Sequence, residues 1–183
     1  MVLEKSALCQ FGWEAPNFNL LGVDNSYYNL NRVKGNKGTL VMFICNHCPY
    51  VQAITERLIL DIILLQNIGI GIVAIMPNAV EHIPADSYEN MKKYSNIHDF
   101  TFPYVIDDSQ EVAKNYNAIC TPDFFGFNSD LKLQYRGRLD EFGKNHAPDI
   151  SKRELLEAMT EISETGEGPK IQYPSIGCSI KWR

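Results

Sequence analysis

The sequence predicts an α/β domain with a central mixed β-sheet flanked by helices, and three observations carry that reading. Residues 39–44 are apolar after their threonine, as a strand covered on both faces must be. Residues 50–67 repeat Ile54, Leu58, Ile62 and Leu65 at helical spacing. Residues 70–75, after the break at Gly69, form a second buried strand. Strand, helix and strand with short joins make a right-handed parallel crossover.

The other elements follow in order around that unit. Residues 1–38 are turn-rich, with extended pieces such as Phe18-Asn19-Leu20-Leu21, and predict a β-hairpin-like N-terminal extension. Inside the long helix, Arg57 and Asp61 have the i,i+4 spacing of an ion pair. Three later helices are each announced by a polar cap with an acid three residues on: Asp86-Ser87-Tyr88-Glu89, Asp108-Ser109-Gln110-Glu111 and Ser151-Lys152-Arg153-Glu154. The first falls in an insertion around 77–100. The last places Leu155, Met159 and Ile162 on one face and stops at Gly166. Between the second and third, residues 124–127 and 131–136 read as strands joined by Asn128-Ser129-Asp130. Residues 166–183 predict an irregular C-terminal tail, tied down by burial of Ile171, Tyr173, Ile176, Ile180 and Trp182. A chain of 183 residues is expected to form a single domain over 1–183.

Composition narrows the function. With 45% apolar and 21% charged residues the chain can bury a substantial core. A net charge of −5 and the lack of a basic stripe argue against nucleic acid as a partner. The start has no basic segment followed by an apolar one, so no secretory signal is expected. Residues 58–76 are interrupted by Asp61, Gln66, Asn67 and glycines, and so do not predict a membrane span. The expected location is cytoplasmic, where structural disulfides are rare. The five cysteines have no framework spacing. A C-x-x-C pair beside a crossover then points to redox or metal chemistry.

That pair is Cys45-Asn46-His47-Cys48, set between the first crossover strand and the long helix. A helix N-terminus offers unpaired N–H groups and the positive end of the macrodipole, which favour an anion. The thiolate is the reactive form of cysteine. By position Cys45 is expected to be the more exposed thiol, nearest the helix end, and to attack. Cys48, one turn in, is expected to resolve, with His47 supporting the thiolate. Pro49 suits a first helical turn and restrains Cys48 before it. Pro122, within Cys120-Thr121-Pro122-Asp123, opens a strand and is a candidate for a cis peptide bond. Cys120 and Cys178 are candidate additional thiols, and a resolving role for Cys178 needs the tail to fold back over the pair. Cys45, Cys48 and His47 also allow a metal-binding or chaperone module, although a closed zinc site needs further ligands. No cofactor and no resident metal are expected.

The order of elements, with a C-x-x-C after the first crossover strand, is that of a thioredoxin fold. The runs Phe43-Ile44-Cys45-Asn46-His47-Cys48-Pro49-Tyr50-Val51, Cys120-Thr121-Pro122-Asp123-Phe124-Phe125, Tyr135-Arg136-Gly137-Arg138-Leu139-Asp140 and Gly177-Cys178-Ser179-Ile180-Lys181-Trp182 resemble a thioredoxin-like, peroxiredoxin-like subgroup. That subgroup belongs to the alkyl hydroperoxide reductase/thiol-specific antioxidant superfamily. The resemblance implies a redox dithiol exchanging with protein or small-molecule thiols and disulfides, with Thr121 and Pro122 docking an extended substrate. A thioredoxin- or glutathione-type reductant and a homodimer are further expected partners, and no membrane is. It also places Cys48 where peroxiredoxins keep the cysteine that attacks peroxide, so a thiol peroxidase with Cys48 peroxidatic and Cys45 or Cys178 resolving is the alternative. Val41 and Cys45 stand where the peroxiredoxin pattern Pro-x-x-x-Thr-x-x-Cys has proline and threonine. Thr39 stands where thioredoxins keep a buried acid.

Overall fold

A computed structural model describes residues 2–146, 148 and 152–183. The elements run β1 (Leu3–Lys5), β2 (Asn19–Gly22), β3 (Tyr27–Asn29), α1 (Leu30–Val33), β4 (Gly38–Phe43), α2 (Pro49–Asn67), β5 (Ile70–Met76), α3 (Tyr88–Ile97), β6 (Tyr104–Ile106), α4 (Glu111–Asn115), β7 (Cys120–Thr121), β8 (Asp123–Phe127), β9 (Leu133–Gly137), α5 (Glu154–Thr165) and β10 (Ile176–Ser179). The main sheet has the order β3-β2-β6-β5-β4-β8-β9. β4, β5 and β6 are mutually parallel, and β8 runs antiparallel to β4. This is the expected mixed α/β architecture of a thioredoxin fold, with the crossover strand central.

Alternation along β4 explains why every one of its residues is buried. Leu40 and Met42 face one core, shared with Ile54, Leu58, Ile62 and Leu65 of α2 and with Leu155, Met159 and Ile162 of α5. Val41 and Phe43 face the other, with Val73, Ile75, Tyr116 and Phe125. A strand sandwiched this way has no solvent side, which is why its sequence is continuously apolar. Gly69, at φ 91, makes the turn from α2 into β5.

Several expectations are corrected. Arg57 does not pair with Asp61: its Nε reaches Asp140 at 2.8 Å, and Asp61 takes Arg153 instead. Asp86 does not cap α3; Ser87 holds that position. Asp108 does not cap α4, whose N-cap is Gln110 at φ 63, and it is Asp107 that accepts from Ala113 N at 2.7 Å. The Ser151 cap lies outside the described residues. β6 was not expected at all. The tail is irregular over 166–175 and 180–183 as expected, but residues 176–179 form β10, the middle strand of a second sheet of order β1-β10-β7. Its anchors also differ. Ile180 is buried, but Ile171, Tyr173, Ile176 and Trp182 stay exposed, and Ser175, Gly177 and Cys178 take their place inside.

Candidate active site

The last residue of β4 feeds a four-residue turn into α2. Cys48 is the N-cap of α2, extended at φ −71 and ψ 119, and Pro49 is the first helical residue. The proline needs no N–H donor there and forbids a helical Cys48, so chain chemistry alone fixes where the helix begins. The positive end of α2 therefore meets Cys48, and Cys45 stands ahead of the helix. Both thiols are fully buried, which removes the exposure expected of Cys45.

Below the turn lies a carboxylate that the sequence did not reveal. Asp86, wholly buried, accepts from Asn46 N at 2.8 Å and His47 N at 3.2 Å through Oδ1. Its Oδ2 is 2.6 Å from His47 Nδ1 and accepts from Asn78 Nδ2 at 2.8 Å. Asn46 is pinned further by Tyr104 Oη on its Oδ1 at 2.9 Å and by Gln52 on its carbonyl at 2.8 Å. This acid comes from the inserted segment and bonds the turn through Asn46 and His47. The hydrogen bond that His47 donates to Asp86 raises the pKa of His47 and overcomes the opposing effect of burial. His47 Nδ1 also lies 3.6 Å from Cys45 Sγ. One nitrogen thus serves both contacts, so the trio is not a relay through opposite ring nitrogens.

Cys45, His47 and Asp86 place possible ligand atoms within 4.8 Å of one another. Both oxygens of Asp86 are already engaged by two amides, an imidazole and an asparagine. The arrangement is better explained as a hydrogen-bonded cradle for the turn than as a metal centre.

The other wall is β7 and the Thr121-Pro122 peptide, which is cis. Thr121 Oγ1 lies 3.2 Å from Cys45 Sγ, and the Thr121 carbonyl lies 3.2 Å from Cys48 Sγ. The tail folds back over the pair, so that Cys178 Sγ is 2.6 Å from Cys48 Sγ. Cys48 is therefore the middle of three thiols. Its pKa is pushed down to about 5, first by a hydrogen bond from Cys45, then by Cys178 and the Val51 amide in α2, against burial. The Thr121 carbonyl opposes the anion but is outnumbered by these donors. Burial pushes Cys45 well above the usual thiol range and Cys178 up to about 12, and donation to Cys48 adds to both. The three thiols are thus shifted in opposite directions, Cys48 toward the thiolate and Cys45 and Cys178 toward the thiol.

Cys120 is brought near but not into the cluster. Its sulfur turns toward the Pro122 carbonyl at 3.7 Å, and full burial pushes its pKa up, the behaviour of an inert packed thiol rather than a dimer bridge. A groove of about 230 Å3 flanks the site, lined in part by Tyr50, Ile54, Pro122, Arg138, Ser175 and Ile176.

Asp86→Asn should lower the His47 titration toward its ordinary value of about 6.5 and cost about 1–3 kcal/mol, because an amide replaces a buried acceptor of four donors. Imidazole proton shifts against pH and thermal melts check both effects. The sign is fixed by the raised pKa. The His47–Asp86 pair stabilises the fold fully below about pH 6.5, and its contribution is lost as pH rises through the shifted value. In the variant that dependence should flatten.

Residues 11–136 match the AhpC/TSA family. An uncharacterized conserved protein from Geobacillus kaustophilus is similar at 42% identity and TM-score 0.94, over 100% of this chain and 97% of that one. A hypothetical protein from Sinorhizobium meliloti 1021 is 32% identical with TM-score 0.92, over 98% of each chain. The thioredoxin domain of a thiol-disulfide oxidoreductase from Bacteroides vulgatus shares the fold at 17% identity and TM-score 0.64, over 84% of this chain and 97% of that one. No curated protein matches.

Proposed function

The chain belongs to the AhpC/TSA family, and on that premise we propose that it is a thiol–disulfide oxidoreductase in which Cys45 and Cys48 cycle between dithiol and disulfide. Its substrates are protein or small-molecule thiols and disulfides. The observation that carries this reading is the buried Cys48 sulfur at the α2 N-cap, beside Cys45 and 3.2 Å from the carbonyl of Thr121 that precedes the cis proline.

The order of attack follows from which sulfur is anionic. Cys48 thiolate attacks one sulfur of a substrate disulfide, forming a mixed disulfide and releasing one substrate thiolate. Cys45 then loses its proton to the departing substrate sulfur and attacks Cys48 Sγ. The Cys45–Cys48 disulfide forms and the second substrate thiol leaves. Attack was expected of Cys45 because it was read as exposed and nearest the helix, and neither premise holds. His47 and Asp86 hold the turn beside Cys45. In reverse, the disulfide oxidises a dithiol substrate and expels Cys48 as the stable thiolate.

A stabilised thiolate favours the reduced protein, which makes its disulfide oxidising. Thioredoxin pairs a thiol near pKa ~7 with about −270 mV, and DsbA one near ~3.5 with about −120 mV. A Cys48 at about 5 lies between them, so the expected potential is about −190 mV. Equilibration in glutathione buffers, read by mass after alkylation, measures it. A Cys45–Cys48 pair that stays unlinked at every buffer ratio would remove the reading.

The same anionic Cys48 favours a second reading, peroxide reduction. Cys48 thiolate would attack one peroxide oxygen, break the O–O bond and become a sulfenic acid as hydroxide leaves, and a neighbouring thiol would then close a disulfide and release water. The Arg136 guanidinium is directed to Asp123 and the Asn117 carbonyl. Stopped-flow peroxide consumption that is fast and lost in Cys48→Ser would support this reading over the first.

A further inference from the structure

The edge of β7 that the sequence assigns to substrate is already occupied by the chain itself. β10 pairs antiparallel with β7, placing Cys178 opposite Thr121 and Ser179 opposite Cys120. Gly177 lies so close to the cis peptide that a Cβ there would meet the Thr121 carbonyl oxygen at 2.0 Å and Pro122 N at 3.0 Å. An extended segment thus runs along the strand beside Pro122 and presents a cysteine to the dithiol, with its sulfur 2.6 Å from Cys48 Sγ. These are the things an incoming substrate chain would do: pair with the edge, cross the proline, and offer sulfur to sulfur.

From this geometry we infer that β10 is an internal stand-in for substrate, and that Cys178 closes a reversible disulfide with Cys48 that locks the site shut. The inference rests on the thiol–disulfide reading of Cys48. Two disulfides then share one sulfur. In the first, Cys48 is joined to Cys45 and Cys178 remains a thiol. In the second, Cys48 is joined to Cys178, and β10 is stapled covalently across the docking edge.

The second form is reached without any new oxidant class. Glutathione disulfide gives Cys48 a mixed disulfide and releases one glutathione thiolate. Cys178 loses its proton to that thiolate and attacks Cys48 Sγ. The second glutathione leaves as thiolate, and Cys48–Cys178 remains. The same bond also forms from the Cys45–Cys48 disulfide when Cys178 attacks Cys48 Sγ and Cys45 departs with the proton, an exchange with no net oxidation. Reopening needs a reducing thiol that attacks either sulfur.

The ladder holding β10 to β7 is only two residue pairs long. On its far side β10 pairs with β1, and beyond it Lys181 is tied to Asn78 and Ala79, with Lys181 N donating to Asn78 Oδ1 at 2.9 Å and Ala79 N donating to the Lys181 carbonyl at 2.9 Å. Asn78 is also the residue that bonds Asp86. The strand is therefore held along its β1 edge and at Lys181, while on the other edge the two-pair β7 ladder is followed by one bond from Ile180 N to the Ile119 carbonyl at 2.9 Å. Parting the two-pair ladder exposes the docking edge, and the disulfide prevents that parting.

The test oxidises full-length wild type, Cys45→Ser and Gly177→Val with glutathione disulfide, alkylates free thiols, and maps disulfides by mass spectrometry under non-reducing conditions. In Cys45→Ser a Cys48–Cys178 linked peptide should form, with loss of two hydrogens and no retained glutathione. In Gly177→Val, where the side chain cannot fit against Thr121, that linkage should fall at least tenfold, while reduction of a disulfide-linked peptide by the prereduced protein should rise several-fold over wild type. Circular dichroism establishes that each variant is folded. If Cys45→Ser instead keeps glutathione on Cys48 with Cys178 alkylated, the inference is overturned, while a Cys45–Cys48 linkage in wild type leaves the proposed function standing. If wild type forms no linkage at Cys48 in any buffer, both fail. If Gly177→Val leaves linkage and peptide reduction unchanged, β10 is not the occupant of a substrate edge.

Discussion

Cys48→Ser should reduce thiol–disulfide exchange to the buffer background, whereas the double variant Cys45→Ser with Cys178→Ser, which lacks both neighbouring thiols, should still capture substrate but hold it as a mixed disulfide. The asymmetry follows from which sulfur is anionic. At pH 7 a thiol of pKa ~8.5 is about 3% thiolate, and one near 5 is almost wholly thiolate, a gain of about thirtyfold. Nucleophilicity falls with pKa at a Brønsted slope of ~0.45, so a drop of ~3.5 units costs about fortyfold. The two nearly cancel. The low pKa of Cys48 therefore adds little to its speed of attack at neutral pH and much to its ability to leave. Mixed-disulfide formation with glutathione disulfide, followed by mass, should be nearly flat from pH 9 down to about 6 and decline only as pH falls through about 5. An initial rate of attack on glutathione disulfide in wild type that climbs tenfold per pH unit up to pH 8 would show an ordinary thiol at Cys48 and sink the assignment.

The second large effect is on stability. Arg136 and Asp123 form an ion pair at 3.1 Å, with Asp123 wholly buried and Arg136 nearly so. Arg136 Nη2 also donates to the Asn117 carbonyl at 2.7 Å, and the guanidinium lies 4.5 Å from the Phe125 ring centroid. Asp123 Oδ1 and Arg136 Nε have no partner among the described residues. Removing one member of a buried pair typically costs about 3–5 kcal/mol, because the other charge is left without compensation. Arg136→Met should therefore lower Tm by about 6–20 °C in a chain of this size. The pH dependence has a definite sign. Burial raises Asp123 to about 7 in the fold despite the Arg136 charge, so the folded state binds the proton more tightly than the unfolded chain. Stability from this group is fully present below pH ~4 and is lost as pH rises through about 7. Without Arg136 the loss should steepen, with the variant closest to wild type at pH 5 and furthest from it at pH 8. Melts across that range decide the matter, and a constant difference would mean that Asp123 does not titrate differently in the two proteins between pH 5 and 8.

The parts of the fold legible in sequence are those where one physical pressure acts alone. β4 and β5 are buried on both faces and so are apolar throughout. α2 packs one face on the sheet and shows it at Ile54, Leu58, Ile62 and Leu65. Gly166, at φ 79, ends α5 as a left-handed cap. Pro122 could be singled out because a proline opening a strand must be accommodated somehow. What was hidden depended on long-range meetings. Asp86 sits in an Asp-x-x-Glu pattern that imitates a helix cap, and nothing local tells that its carboxylate turns inward to Asn46 and His47. Arg57 had a partner at the right helical spacing, but Asp140 offers two oxygens to its fork, at 2.8 and 3.1 Å, where an i,i+4 neighbour offers a solvated contact. Cys178 meets Cys48 across 130 positions. The tail pattern misled because its large apolar residues stay outside, and a glycine and a cysteine are what pack against β7.

The pairing of β1 with β10 has a consequence for how the protein is made. Ser6 N donates to the Ser175 carbonyl and Ser175 N to Ser6 Oγ, each at 2.9 Å, across 169 positions. Leu3–Lys5 cannot find its β10 partner until residue 176 has left the ribosome. During synthesis the nascent chain can complete β4, α2 and β5 early, with the reactive sulfur already in place and nothing yet drawn across it. Newly emerging molecules therefore pass through an uncovered interval in which Cys48 is open to any passing oxidant or thiol, and that vulnerability ends only when the last strand arrives.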